Sequence, residues 1–279
     1  MGSDLQGSGL AVRVFSSPSP LPSPLGRGSA GRRSPDRAVV EVRDAVERVP
    51  TGSANSWLLL DSGAGDHAFN MALDEALLEA MPRLLNPVLR FYGWKAPAAS
   101  FGYFQRYAEV ERFTLLRPLV RRPTGGGLVP HDRDWTYSLA FPTDHEWYSV
   151  NAAESYRRVH AWLRAAFARV GVSTELADCS RRTRAGQCFA GYEKNDLLWH
   201  GQKIAGAAQR RTRAGLLIQG SVQPPKESLD RADWQRAMVE VGTSKAVAWS
   251  KFEPDRELQL LLRSLVERKY SQESYNQKR

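Results

Sequence analysis

Short apolar runs separated by turn residues, two long helical stripes and a glycine-punctuated middle predict an α+β fold. The expected form is a mixed α/β arrangement of mostly antiparallel or mixed sheets with packed helices. Strand-like runs at residues 88–92 and 99–103 flank a turn at 93–97, and a second hairpin turns at His200-Gly201. Apolar residues at helical spacing recur along 67–81 and again along 152–171.

The elements follow in order. WLLLD, from Trp57 to Asp61, is a short apolar run and reads as a buried strand. Asp66 is a helix cap for HAFNMALDEALLEAM, which Pro82 is expected to close. Phe69, Ala72, Leu73, Ala76, Leu77 and Ala80 share its apolar face. Asn70, Asp74 and Glu75 fall off that face, and read either as solvated residues or, for Asn70 and Asp74, as lining of a site. Arg90 sits inside the apolar strand 88–92 and requires an anionic partner, a carboxylate or a ligand. Residues 119–122 and 136–141 read as strands on either side of a glycine loop at 123–127. Asn151 caps the long helix that Gly171 ends, and VSTELA returns from it as a strand. His160 lies beside the apolar stripe of that helix and reads as structural. Strands are expected at 196–199, 203–209 and 216–222, and helices at 228–241 and 254–270. The closing SQESYNQKR is expected to fray.

Composition narrows the functional classes. The 279 residues are 42% hydrophobic and 25% charged, ordinary for a globular protein. Residues 1–50 are rich in Pro, Ser, Gly and Arg, bury little, and are expected to be a disordered tail. They share Arg and Ser richness with transit peptides but lack an amphipathic helix, and a mis-started reading frame is an equal explanation. The folded part is expected to be a single domain over residues 55–270. Cys179 and Cys188 lack CxxC spacing and a partnering histidine cluster, so neither a disulfide framework nor a metal site is expected. Cysteine usage fits a reducing, cytoplasmic setting. No run of eighteen apolar residues offers a membrane span, so no membrane association is expected. The net charge of +9 suits an acidic protein or phosphate-bearing partner, and no recognised nucleic-acid motif accompanies it, so no nucleic acid is expected.

Two stretches carry candidate chemistry. In RRPTGGGLVPHD, Gly125, Gly126 and Gly127 allow close backbone approach to a ligand and can form an anion-binding nest beside Arg121 and Arg122, with His131 following. No GK[ST] follows, so this is not a Walker loop. The second stretch, from Gln187 to Gln223, holds Cys188 and, fifteen residues later, Lys203 in a glycine-flanked strand of small residues. Ala205, Gly206, Ala207 and Ala208 leave room beside the backbone, as a narrow tunnel requires. A thiol becomes a nucleophile when nearby cations stabilise its thiolate, and a lysine can hold an acyl carbonyl while protons move. Spacing alone leaves Cys188 open as either a nucleophile or an inert buried thiol.

FNMALDEALL, LRFYGW with SFGYFQ, RRPTGGGLVPHD with TYS, and GQKIAGAAQ with GS occur in an order that resembles the biotin/lipoate protein ligase catalytic family, in its lipoate branch. The resemblance spans Trp57 to about Gln223. It implies a class II synthetase-like sheet with packed helices and the joining of octanoyl or lipoyl groups to a lysine of lipoyl carrier domains. It implies Lys203 at the acyl carbonyl and an acyl or acyl-adenylate pocket walled by Arg90, Arg121, Arg122, Gly125, Gly126, Gly127, His131, Gly206 and Ala207. Cys-Phe fifteen residues before the lysine is similar to cysteine-type octanoyltransferases, which hold the acyl group as a thioester, here on Cys188, and need no cofactor. Triple glycine is similar to lipoate-protein ligases, which use ATP and Mg to make a lipoyl-adenylate. A relative that only binds acyl groups or carrier domains is a third outcome. Many members have a histidine where this chain has Gln219. The partners implied are acyl carrier protein as donor, and lipoyl domains of 2-oxoacid dehydrogenases or the glycine cleavage H protein as acceptor.

Overall fold

The central sheet owes its two-sidedness to strands in which alternate residues serve different layers. The computed structural model describes residues 56–181, 189, 191–225, 229–245 and 247–278, all within one compact unit, Asp44–Arg279. Its strands are β1 (Ser56–Gly65), β2 (Val88–Trp94), β3 (Ala98–Phe101), β4 (Leu119–Arg121), β5 (Val129–His131), β6 (Trp135–Phe141), β7 (Glu175–Leu176), β8 (Leu197–Trp199), β9 (Gln202–Arg211), β10 (Leu216–Val222) and β11 (Ala248–Lys251). Its helices are α1 (His67–Leu84), α2 (Tyr107–Val110), α3 (Glu146–Ser149), α4 (Ala152–Arg169), α5 (Arg231–Thr243), α6 (Arg256–Leu265) and α7 (Glu273–Asn276), with a π-helical turn, Val266–Tyr270, after α6.

Eight strands form one sheet in the order β11-β1-β2-β6-β10-β9-β8-β7, and β4-β3-β5 form a small second sheet. β1 runs parallel to β11 and β2, and the remaining pairs of the large sheet are antiparallel. The mixed α+β class expected from the sequence is therefore the observed one.

Side-chain alternation sends Leu89, Phe91, Tyr137, Leu139 and Ile218 into one core with α4 and α5. Val88, Tyr92 and Ala140 point the other way, into a second core with α1 and α6. Each large apolar side chain so buried contributes about 1.5–3 kcal/mol. On the α1 face the central strands also carry Arg90, Ser138 and Gln219, all buried. A polar layer thus lies between sheet and helix.

Three local expectations need correction, and one strand was not expected. α1 continues through Pro82 to Leu84 and ends where Leu85 takes a left-handed conformation, its N–H donating to Met81 O. Pro82 sits in the last turn, where loss of one ladder bond is tolerated. Asn70, Asp74 and Glu75 are buried rather than solvated, because the polar layer and the C-terminal segment cover that side of α1. Residues around Trp249 form β11, which adds a parallel strand beside β1. The expected frayed tail folds as α7, with Tyr275 and Asn276 buried. His160 is structural, as read: it is buried, with Nδ1 2.9 Å from Tyr156 O.

Candidate active site

A cleft opens on the α1 face, between the central strands and the small sheet. Among its walls are Met71, Tyr92, Ser100, Arg122, Gly126, His131, Phe189, Gly206, Ala207, Ala208 and Gln219. Small residues on β9 leave the space, Met71 of α1 and Tyr92 of β2 line it, and the glycine loop and β5 add further walls. Five of the expected site residues, Arg122, Gly126, His131, Gly206 and Ala207, therefore meet at one place.

Lys203 flanks this cleft. Its side chain is buried, and Nζ lies 2.7 Å from Asp196 Oδ2. Asp196 also accepts from the Glu193 amide at 2.6 Å and from the Tyr156 hydroxyl. A Cβ on Gly206 would come within 2.8 Å of Lys203 Nζ, so the amine lies directly over a glycine of the cleft wall. The missing side chain is what admits it. The Phe189 ring stands 5.4 Å from Nζ. Cys188 lies outside the described residues, and Phe189, the next residue, lines the cleft.

The glycine loop is tied to Arg122. Its Nε and Nη2 donate to Gly125 O at 3.0 and 2.6 Å, and Nη2 donates to Gly127 O at 2.7 Å. Gly126 has φ +84, which favours glycine, and a Cβ there would meet Arg122 Nη2 at 2.8 Å and push the guanidinium off the loop carbonyls. Gly102 faces the same loop: a Cβ on it would run into Gly126 O.

Arg90 and Arg121 do not line the cleft. Arg90 Nη1 donates to Asp74 Oδ1 at 2.6 Å, both side chains being fully buried. The anionic partner its strand position demanded is thus a carboxylate of α1. Asp74 also accepts from Tyr92, Ser138 Oγ at 2.6 Å and Gln219 Nε2 at 2.7 Å. Burial first, then the neighbouring Asp74 charge, raises the Tyr92 hydroxyl well above its ordinary pKa. Gln219 Oε1 accepts from Thr124 Oγ1 at 2.7 Å, which joins this network to the glycine loop. Arg121 points into the protein and donates to the carbonyls of Tyr103, Gln105, Tyr275, Asn276 and Lys278.

Sequence reasoning did not single out Ser100, Asp134, Thr136, Ser221 or Gln219 as site residues. Ser100 Oγ lies 2.7 Å from His131 Nε2, and His131 Nδ1 lies 2.8 Å from Asp134 Oδ2. The signal available was polar residues at alternate positions of otherwise apolar strands, Thr136 and Ser138 in β6, and Gln219 and Ser221 in β10. No group of three or more His, Cys, Asp or Glu side chains suited to a metal ion occurs among the described residues. No helix among them is long and apolar enough to cross a membrane.

The chain is similar to known proteins in sequence and in fold. Octanoyltransferase LipM of Bacillus subtilis (strain 168) is 34% identical over 180 residues, 60% of this chain and 65% of that protein. Octanoyltransferase LipM of Kyrpidia tusciae is 37% identical over 179 residues, with the same shares. The chain thus spans just under two thirds of the length of these relatives. Two solved structures share the fold: lipoate-protein ligase A bound with ATP (TM-score 0.66, 19% identity, covering 80% of this chain and 98% of that one), and a bipartite lipoate protein ligase from Thermoplasma acidophilum (TM-score 0.62, 20% identity, 80% and 96%). Residues 66–223, more than half of the sequence, match the lipoyl protein ligase A/B catalytic domain. That match takes in α1, the glycine loop, β5, β6, Lys203 and β10, and the chain belongs to this family.

Proposed function

We propose that the protein is an octanoyltransferase of protein lipoylation, moving an octanoyl group from acyl carrier protein to a lysine of a lipoyl domain. The observation that carries this reading is the Lys203 ammonium over Gly206, beside Phe189, at a cleft walled by Met71, Ala207 and Ala208. The relatives named octanoyltransferase support transfer over ligation.

In this reading the Cys188 thiolate attacks the octanoyl thioester carbonyl. Lys203 donates a hydrogen bond to the oxygen as it gains charge, the carrier thiol leaves with a proton, and the acyl group rests on Cys188. The acceptor lysine amine then attacks this second thioester, an amide forms, and the Cys188 thiol is regenerated. Asp196 and Gly206 hold the ammonium in place through both steps. No cofactor is consumed. Acidic carrier domains suit the basic surface, and a cytoplasmic setting suits the cysteine usage. Under the ligase alternative the same lysine and glycine loop would hold a lipoyl-adenylate made from ATP.

The test is mass analysis of an apo lipoyl domain incubated with the protein and either octanoyl-carrier protein or lipoate with MgATP. Octanoylation without ATP is expected, and its absence from Cys188→Ala follows. Gly206→Ala keeps the amine but displaces it, and should slow transfer by about 100-fold or more while the chain stays folded. Modification that needs ATP and survives Cys188→Ala overturns the proposal.

A further inference from the structure

Three linked side chains, two of them lining the cleft and the third behind it, are left unused by the proposed transfer. Ser100 from β3, His131 from β5 and Asp134 from the turn before β6 are all buried, at separations of 2.7 and 2.8 Å. Their neighbours fix the proton positions. Asp134 Oδ2 also accepts from Ser221 Oγ at 2.7 Å and Thr136 Oγ1 at 3.2 Å, so it is the acceptor of its cluster and His131 Nδ1 is the donor. In the neutral imidazole, His131 Nε2 is then the acceptor that faces Ser100 Oγ. Arg122 Nη1 donates to Ser100 Oγ at 3.3 Å, which leaves the Ser100 proton to point at Nε2. Trp94 stacks on the imidazole with centroids 3.9 Å apart and planes 14° apart, holding its orientation.

This is the nucleophile, base and orienting carboxylate arrangement, which is recognised by geometry rather than by chain order. Ser221 pairs with Gly206 across β10 and β9, and Lys203 Nζ lies over Gly206, so the Asp134 end of the chain shares a rung with the amine. Ser100 and Arg122 face the same cleft.

We propose that Ser100, His131 and Asp134 form a second acyl-accepting centre that hydrolyses medium-chain acyl esters independently of Cys188. Ser100 Oγ bonds to the acyl carbon as its proton passes to His131 Nε2, and the positive charge of Arg122, whose Nη1 already bonds Ser100 Oγ, lies beside the oxygen that gains charge. The ester C–O bond breaks and the alcohol leaves with the His131 proton. Water then attacks the Ser100 ester, giving a proton to His131. The acyl–Oγ bond breaks, Ser100 recovers its proton, and the carboxylic acid departs. The inference rests on the reading of this cleft as an acyl site, but not on Cys188 as its nucleophile.

The test uses the full chain carrying Cys188→Ala, with p-nitrophenyl octanoate as probe. Nitrophenolate release above the enzyme-free rate is expected, and adding Ser100→Ala or His131→Gln should lower it by about 100-fold or more. A fluorophosphonate probe on the folded Cys188→Ala chain requires no change at the serine, and peptide mapping should find the label on Ser100. Release no faster than without enzyme, release indifferent to Ser100→Ala, or a label absent from Ser100 each overturns the proposal. Loss of carrier-to-lipoyl-domain transfer through Cys188 is read in the separate assay above, so either proposal can fail while the other stands.

Discussion

The Asp74 carboxylate accepts from four buried side chains. Its two oxygens serve Arg90, Tyr92, Ser138 and Gln219, so one carboxylate joins α1 to β2, β6 and β10. Arg90 is fully buried, and its other donors reach Ser62 Oγ, Asn70 O and Asn70 Oδ1, none of them charged. Asp74→Ala would strand the guanidinium without a counter-charge, and the expected loss is about 3–5 kcal/mol of unfolding free energy in urea. A loss below about 1 kcal/mol would show that the pair is dispensable. Sequence reading found Arg90 anomalous for the right reason, a charge in an apolar strand, but could not say whether a ligand or a side chain answers it. That choice depends on a residue sixteen positions earlier, on another element, and only packing brings the two together.

At the scale of elements, the C-terminal segment acts as a strap over the strand that leads into the glycine loop. Asn276 Oδ1 accepts from the Arg121 amide at 2.9 Å, and the backbone of Tyr275, Asn276 and Lys278 receives the Arg121 guanidinium. Deleting residues 272–279 removes these acceptors while leaving Arg121 inside. Each buried group left unpaired costs about 1–3 kcal/mol. The expected result is a lowered melting temperature together with faster hydrogen exchange at the Arg121 amide. Unchanged protection there would mean that β4 does not need the strap. The tail reads as frayed because SQESYNQKR is short and polar. Its order comes from a buried arginine that needs carbonyls, which local propensity does not register.

Across the whole molecule, stability depends on buried groups that must stay neutral as well as on the two cores. His160 on α4 is buried between Tyr156 and the rest of its layer, and burial pushes its pKa from 6.5 down to about 4. The folded state therefore resists protonation while the unfolded chain accepts a proton near pH 6.5. The associated stability is complete above that pH and is lost as pH falls toward 4. The size of the loss is on the order of 3 kcal/mol. His67 and His145 are lowered by burial as well and add to the same slope. Urea unfolding between pH 7 and pH 4 should show a shallower dependence for His160→Leu than for the parent chain, and parallel profiles would contradict this account.

The mixed α+β class, the caps at Asp66 and Asn151, the His200-Gly201 hairpin and the family of residues 66–223 are legible in the chain alone. Those features are local in the chain: a spacing, a capping oxygen, a turn with positive φ, or an ordered set of motifs. Tertiary structure decided that Arg121 faces the C-terminal strap while Arg122, its neighbour, faces the cleft. It also decided that Ser100, His131 and Asp134 meet, and that Gly206 admits the Lys203 amine. Each of these depends on the register between strands distant in sequence, where a shift of one residue turns a side chain to the opposite face.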